Sequence, residues 1–290
     1  MLVIHNPVAG RRRAGLMWQV ISQLVEQGLK VEVAETEHAG HATQLAQQAA
    51  QTGIELVVAA GGDGTIAEIA QGLLGSETKL GVIPLGTANV LAKEYGLATT
   101  ARAIAKALVQ QNTRTLWPGV VHLPNRTHVF VQMLGVGFDG AVVHAVQPKL
   151  KRIIGKGAYV WQSLCQAVTY KFLPIEMRVD GKACHAASVI ISKGRFYGGA
   201  HMLAPLAAPD KPGFQIVLFE KTGAGAALLA GAALPLGLLP HCPFVRILNG
   251  HHIEFMASEQ PFFAQTDGDA LCATPLSVED AAQPLSLIVG

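Results

Sequence analysis

The stretch Ala60-Gly61-Gly62-Asp63-Gly64-Thr65-Ile66-Ala67-Glu68 holds the residues best suited to chemistry. It follows an apolar run and opens a helical pattern. Glycines let a backbone turn with positive φ and let a phosphate approach without meeting a Cβ. The helix start that follows presents free N–H groups and partial positive charge, the combination that binds anions. Asp63 sets a carboxylate beside that site. A carboxylate repels a bare phosphate, so its place makes sense if Mg²⁺ lies between them or if Asp63 takes a proton from an attacking hydroxyl. The same residues also fit a capped helix, with Asp63 or Thr65 as N-cap and Glu68 closing a Thr-x-x-Glu capping box. Capping needs neither glycine before Asp63, and this favours phosphate.

Two more turns repeat the design. Ile83-Pro84-Leu85-Gly86-Thr87-Ala88-Asn89 again runs from a strand through glycine and a hydroxyl into a helix. Asn6-Pro7-Val8-Ala9-Gly10 follows the first strand and leads into Arg11, Arg12 and Arg13. Three such turns at one edge of a parallel sheet would line a single phosphate crevice, although plain solvation also explains the arginines. No GxxxxGK[ST] occurs, which excludes a P-loop protein. Gly135-Val136-Gly137-Phe138-Asp139-Gly140 matches GxGxxG, but the dinucleotide fingerprint wants an acidic residue about 20 positions on. The next acidic residue after Asp139 is Glu176, so that reading is rejected. Asp139 remains as a carboxylate in a glycine-rich turn near a domain boundary. Gln265-Thr266-Asp267-Gly268-Asp269 packs two carboxylates into one turn, by itself an ordinary turn sequence. His38 and His41, and the adjacent His251 and His252, lack a third ligand at metal-site spacing, so no zinc is expected.

The elements that must position these residues change character along the chain. Through the first part, strand and helix signals alternate: Leu2–His5, Lys30–Ala34, Glu55–Ala60 and Leu80–Ile83 read as strands. Met17, Val20, Ile21 and Leu24 form a helix face, as do Ile66, Ile69, Ala70 and Leu73, and Ala88, Leu91, Ala92 and Tyr95. His41–Gln51 is a further helix. Such alternation implies βαβ units and a mostly parallel sheet, with ligands beyond the carboxyl ends of its strands. After Trp117-Pro118-Gly119 the pattern becomes strand-like: Val129–Met133, Ala187–Ser192, Phe214–Phe219, Val245–Leu248 and His252–Phe255. Asp180-Gly181 and Asn249-Gly250 mark turns, and one helix falls near Lys156–Tyr170. The expected fold is an α/β nucleotide-binding domain over residues 1–118, to which residues 280–290 return, and a mainly antiparallel β-sandwich domain over 119–279.

Composition bounds the rest. Of 290 residues, 50% are hydrophobic and 14% charged, which excludes intrinsic disorder. A net charge of +2 leaves no electrostatic footprint for nucleic acid. Four scattered cysteines without a CxxC fit a reducing cytosol. The amino terminus lacks the basic and apolar regions of a signal peptide. The most apolar stretch, Ala224–Leu239, is shorter than the roughly 20 residues a bilayer span needs and contains Pro235. It is expected to be a buried element, with an interfacial helix as the second reading.

Taken in order, these residues resemble the diacylglycerol kinase catalytic-domain family, which includes bacterial lipid kinases, diacylglycerol kinases and sphingosine kinases. The match rests on Asn6-Pro7 with Gly10, Thr36 with Gly40-His41-Ala42, Gly61-Gly62-Asp63-Gly64-Thr65 with Glu68, Pro84–Asn89 and Asp267-Gly268. Lys149–Gly155 and Gly198-Gly199 with Ala204-Pro205 resemble the bacterial second domain. The resemblance implies the two-domain fold with ATP and Mg²⁺ in the cleft. ATP would be held by Asn6, Pro7, Gly10, Thr36, Gly62, Asp63, Gly64, Thr65, Glu68, Gly86 and Thr87. Asp63 and Asp269 would be catalytic, Asp63 and Asp267 metal ligands, and Asp139 the contact to the substrate headgroup. The family's second-domain motif ends in Glu where this chain has Asp269, shorter by one methylene. Val90 and Lys211 stand where many relatives carry acidic residues, so the accessory Mg²⁺ site is expected to be absent or altered, with Lys211 in the cation's place.

The implied activity is transfer of the ATP γ-phosphate to a hydroxyl of a diacylglycerol-like lipid. The protein is then cytoplasmic and peripheral to the inner face of the membrane, and a homodimer stays open. Lys149, Lys151, Arg152 and Lys156, near Ile153 and Ile154, would face the anionic surface, or simply be solvated. An NAD kinase shares the Gly-Gly-Asp-Gly-Thr turn but lacks the Pro84–Asn89 pattern. A nucleotide-binding protein without turnover is the third reading.

Overall fold

A computed structural model describes residues 1–8, 13–146 and 156–290. Gly10, Arg11, Arg12 and the run Lys149–Gly155 lie outside the described residues. The chain divides into two compact units. The first holds Met1–Pro118, Pro209–Lys211 and Ala281–Gly290, and the second holds Gly119–Ala208 and Pro212–Asp280.

The first unit runs β1 (Leu2–His5), α1 (Ala14–Glu26), β2 (Glu32–Glu35), α2 (His41–Gln51), β3 (Leu56–Gly61), α3 (Asp63–Leu73), β4 (Lys79–Pro84), α4 (Val90–Glu94), α5 (Ala101–Gln110) and β5 (Thr113–Leu116), and closes with β20 (Leu285–Ile288). Its six-stranded sheet has the order β2-β1-β3-β4-β20-β5. The pairs from β2 to β20 are parallel, and β5 is antiparallel to β20. The inner strands β1 and β3 are buried at every residue, as their unbroken apolar runs require of strands covered on both faces. Met17, Val20 and Leu24 of α1 pack with Val3, Val58, Ile83, Ile104 and Leu108 in one core. The consequence for function is positional. β1, β3 and β4 are parallel neighbours, so the turns that leave them at Asn6, Gly62 and Leu85 emerge at one sheet edge.

The second unit is a sandwich of two six-stranded antiparallel sheets. One has the order β10-β9-β16-β19-β6-β7, built from β10 (Lys182–Ala186), β9 (Ile175–Val179), β16 (Ile253–Phe255), β19 (Leu276–Asp280), β6 (Gly119–Leu123) and β7 (Arg126–Phe130). The other is β15-β14-β11-β8-β17-β18, from β15 (Val245–Gly250), β14 (Phe214–Phe219), β11 (Ser188–Ser192), β8 (Met133–Gly137), β17 (Phe263–Thr266) and β18 (Asp269–Ala273). Their inner faces share a core that joins Val121, Met177, Ile253 and Val278 of the first sheet to Leu134, Val136, Val189 and Ile216 of the second. A short hairpin, β12 (Phe196–Tyr197) with β13 (His201–Met202), and the helices α6 (Phe138–Ala145), α7 (Lys156–Thr169) and α8 (Ala224–Ala233) also belong to the unit.

Three expectations fail, each for a physical reason. Val129–Met133 is not one strand: the chain leaves β7 at Phe130 and enters β8, in the other sheet, at Met133. An apolar run does not record a change of sheet. Asn249-Gly250 ends β15 rather than turning, and the bend falls at His251. Ala224–Leu239 is not a buried element. Ala233 is the one buried residue of α8, while Leu228, Leu229, Leu236 and Leu238 face solvent. A segment apolar on every side has no polar face to show which way it turns.

Candidate active site

Gly62 is the N-cap of α3 in an extended conformation, and no side chain caps the helix. The first-turn amides of a helix have no partner within it, so this end keeps donors for an anion. Asp63 opens α3 and is buried. One of its oxygens accepts from the Leu91 amide at 3.1 Å and so caps the neighbouring α4. Burial pushes the Asp63 pKa up, against the pull of the Leu91, Val90 and Asp63 amides and the charge of Lys93.

The Thr-x-x-Glu capping box is absent. Thr65 Oγ1 accepts from Asn6 Nδ2 at 3.1 Å, which ties the first turn to the second. Asn6 also accepts from the Val8 amide at 3.0 Å, across Pro7. The Glu68 carboxylate accepts from the amides of Gly40 at 2.9 Å and Ala42 at 3.2 Å, so it holds the start of α2. Both Glu68 oxygens are thus engaged by backbone amides of the neighbouring helix start. Thr36 is half-buried at the carboxyl end of β2, and its amide donates to the His5 carbonyl at 2.8 Å.

The third turn touches the second, backbone to backbone. A Cβ on Gly86 would lie 2.6 Å from Gly62 Cα and 2.6 Å from Asn89 Oδ1. These glycines therefore serve the close packing of two turns, a need separate from phosphate binding. Thr87 is exposed and Asn89 buried. Asn89 Nδ2 donates to the Pro84 carbonyl at 3.2 Å, while its Oδ1 is buried without a partner among the described residues. Arg13 also reaches the Pro84 carbonyl, at 3.5 Å, which a freely solvated loop would not require.

In the second unit, Asp139 lies in the first turn of α6, fully enclosed. Its carboxylate accepts from Tyr197 Oη and, at 2.7 Å, from Gln265 Nε2. Burial raises its pKa and those two bonds oppose the rise. Gly135 makes room for it: a Cβ there would lie 1.8 Å from Asp139 Oδ2. The GxGxxG spacing is thus a packing device at the β8–α6 corner. Gln265 Oε1 in turn accepts from the Gly268 amide at 2.8 Å. One glutamine therefore joins Asp139 to the Asp267-Gly268-Asp269 turn. Sequence reasoning assigns no role to Tyr197 or Gln265. Gln265 stands beside the acidic turn, whereas nothing in the chain marks Tyr197, which the Gly198-Gly199 hairpin delivers.

Asp267 does not suit the metal role. Its two oxygens accept from the amides of Val131 at 2.8 Å, Gln132 at 2.9 Å and Met133 at 2.9 Å, and so clamp the passage between the two sheets. Asp269 is exposed at the head of β18. Its charge partly offsets the burial that pushes the His128 pKa down. Asp210, next to Lys211, pairs with Arg114 at 3.5 Å, and Val90 is buried at the start of α4. Among the described residues no group of three or more His, Cys, Asp and Glu gathers to hold a metal ion. The uncapped α3 start and its glycine turns fit the phosphates of ATP. Asp63, beside that helix start, carries the hard oxygen donors of the kind Mg²⁺ takes.

Residues 1–121 match the diacylglycerol kinase catalytic domain, and residues 132–289 match the YegS C-terminal NAD kinase beta sandwich-like domain. The chain is 30% identical over 217 residues to "Probable lipid kinase YegS-like" of Pseudomonas aeruginosa (strain UCBPP-PA14), covering 72% of this chain and 68% of that protein. It is 28% identical over 225 residues to "Diacylglycerol kinase" of Bacillus subtilis (strain 168), covering 76% and 73%. The "Crystal structure of a putative diacylglycerol kinase from Bacillus anthracis str. Sterne" superposes with a TM-score of 0.80 at 23% identity, over 100% of this chain and 94% of that one, and supports the fold. The chain belongs to the diacylglycerol kinase catalytic-domain family with a YegS-type second domain, a family of ATP-dependent lipid kinases.

Proposed function

We propose that this protein transfers the γ-phosphate of ATP to a hydroxyl of a diacylglycerol-like lipid at the inner face of a membrane. The observation that carries the reading is the common sheet edge from which the turns at Asn6, Gly62 and Leu85 leave β1, β3 and β4, with the uncapped α3 start and Asp63 at the middle one. Asn6, Pro7, Gly10, Thr36, Gly62, Gly64, Thr65, Gly86 and Thr87 are assigned to the nucleotide, and Glu68 acts through the Gly40–Ala42 backbone it holds. Phosphoryl transfer depends mainly on positioning and charge neutralisation. Mg²⁺, when bound with ATP, supplies the neutralising charge. Asp63, buried and fixed, is assigned to the phosphate side. Asp269, exposed at the head of β18, is assigned to the acceptor: it takes the hydroxyl proton as the oxygen bonds to Pγ and ADP departs. Asp139, closed in by Tyr197 and Gln265, orients the acidic turn rather than meeting the headgroup with a free oxygen.

The test is transfer from labelled ATP with Mg²⁺, offering diacylglycerol, monoacylglycerol and sphingosine in mixed micelles beside soluble NAD. Label in diacylglycerol is the expected result. Label in NAD alone would move the protein to the NAD kinases. ATP binding with no labelled product would leave a nucleotide-binding protein without turnover.

A further inference from the structure

Helices α7 and α8 pack on each other, and each turns apolar side chains outward. On α7, Trp161, Leu164 and Val168 recur at i, i+3 and i+7, one stripe of a helix, and Trp161 is 58% and Val168 78% exposed. On α8, Leu228 and Leu229 are exposed together with Gly225 and Ala232, and Leu236 just beyond the helix is 70% exposed. The inner side of α8 is accounted for: Ala230, Ala233 and Leu234 pack against the sheet residues Val217 and Ile190. The outer side has no covering among the described residues. Contiguous exposed apolar surface of this kind marks an interaction site.

Charge indicates what covers it. Between Asp139 and Glu176 the sequence has no acidic residue, and Lys171 follows the end of α7. Between Glu220 and Glu254 it again has none, with Lys221 and Arg246 at the ends. Arg246 is engaged by Glu220, but Lys171 and Lys221 are exposed beside the ends of the two helices. A second copy docked through the same face would be isologous and set Lys171 and Lys221 against themselves. An anionic lipid surface attracts them and takes up the leucines and the tryptophan. No helix among the described residues is long and apolar enough to cross a membrane, so the pair would lie in the interface.

We infer that the outward face of α7 and α8 is the surface by which this protein docks on anionic lipid, with Trp161, Leu228 and Leu229 as its anchors. The inference deepens the lipid-kinase reading and names the surface on which that reading places the acceptor. Its test needs no turnover. The full chain is sedimented with vesicles of phosphatidylcholine alone or mixed with phosphatidylglycerol, without ATP. Binding should favour the mixed vesicles and fall at high salt. Leu228→Glu/Leu229→Glu should lose at least tenfold in vesicle affinity while keeping the wild-type melting temperature and its activity on a short-chain acceptor below its micelle concentration. Brominated lipid should quench the wild-type fluorescence, and Trp161→Phe should remove most of that quenching. Unchanged affinity in the double variant, or quenching indifferent to Trp161, would overturn the assignment. So would a wild-type dimer that the double variant dissolves. Vesicle binding with these losses but no labelled lipid would uphold the docking surface and remove the kinase reading alone.

Discussion

The Asp63 carboxylate accepts a hydrogen bond from the Leu91 amide at 3.1 Å, so the acidic residue of one glycine turn fastens the helix that follows the next. Asp63 therefore has two duties, and substitutions can separate them. Asn keeps an oxygen for the Leu91 amide but removes the charge. Asp63→Asn is expected to melt within a few degrees of wild type and to lose turnover by about 10²-fold or more. Asp63→Ala leaves the amide unpaired and is expected to cost about 1–3 kcal/mol of stability as well. Thermal melts beside the labelled-ATP assay check both. Near-normal turnover in Asp63→Asn would remove Asp63 from the chemistry.

Gly62 and Gly86 make the second prediction. A methyl group on Gly86 would lie 2.6 Å from Gly62 Cα, so backbone rather than a pliable side chain would have to move. Gly86→Ala is expected to destabilise by about 1–3 kcal/mol, the range for overpacking, and to weaken ATP binding, because both turns shift together. Gly15 is the control: a Cβ there meets nothing within 4 Å, and it lies in α1. Gly15→Ala is expected to stabilise by about 0.4–1 kcal/mol with ATP affinity unchanged. Denaturant melts and nucleotide titrations of the pair would show whether the Gly86 effect is local.

How far the chain can be read from its residues alone follows from what one dimension records. Strands such as Leu2–His5 and Phe214–Phe219 have the same bounds in sequence and structure, because each is a closed apolar run between turn signals. The turns after β3 and β4 are legible because glycines there break a buried apolar strand directly before a helical pattern. Their partners are not. That Glu68 holds α2 rather than its own helix start depends on residues 26 and 28 positions away. Likewise, Asp267 resembles a ligand because a carboxylate in a turn carries no sign of the amides it will meet, here from residues more than 130 positions earlier.

Glu68 gives a third prediction, since both its oxygens accept from backbone amides. Glu68→Gln turns one acceptor into a donor facing an N–H. The expected result is a stability loss of about 1–3 kcal/mol and a raised KM for ATP with kcat close to wild type. A fall in kcat with unchanged KM would instead place Glu68 at the reacting phosphate.

Asp267 gives a fourth. Three amides on one carboxylate are charge-assisted bonds, and Asn can serve them only with a donor turned toward an N–H. Asp267→Asn is expected to lower the melting temperature clearly, while the Mg²⁺ concentration for half-maximal activity stays as in wild type. A shifted Mg²⁺ requirement in a variant that still melts like wild type would restore Asp267 as a ligand.

Asp139 gives a prediction in pH. Burial raises its pKa in the folded chain, with the bonds from Tyr197 and Gln265 opposing. The folded state thus holds this proton more tightly than the unfolded chain, where a carboxyl titrates near about 3.9. The contribution to stability is full below that unfolded value and is lost as pH rises through the elevated folded value. Asn at this position does not titrate and carries no such dependence, whatever it costs by facing Gln265 Nε2 with a donor. The stability difference between Asp139→Asn and wild type should therefore move in the variant's favour as pH climbs from about 4, then level off once the buried carboxyl has ionised. Denaturant melts of both proteins from about pH 4 to about pH 8, the span in which a raised carboxylate titrates, would measure it. A flat difference would mean that the bonds from Tyr197 and Gln265 fully offset the cost of burying the carboxylate, and one that moves toward wild type would mean that they exceed it.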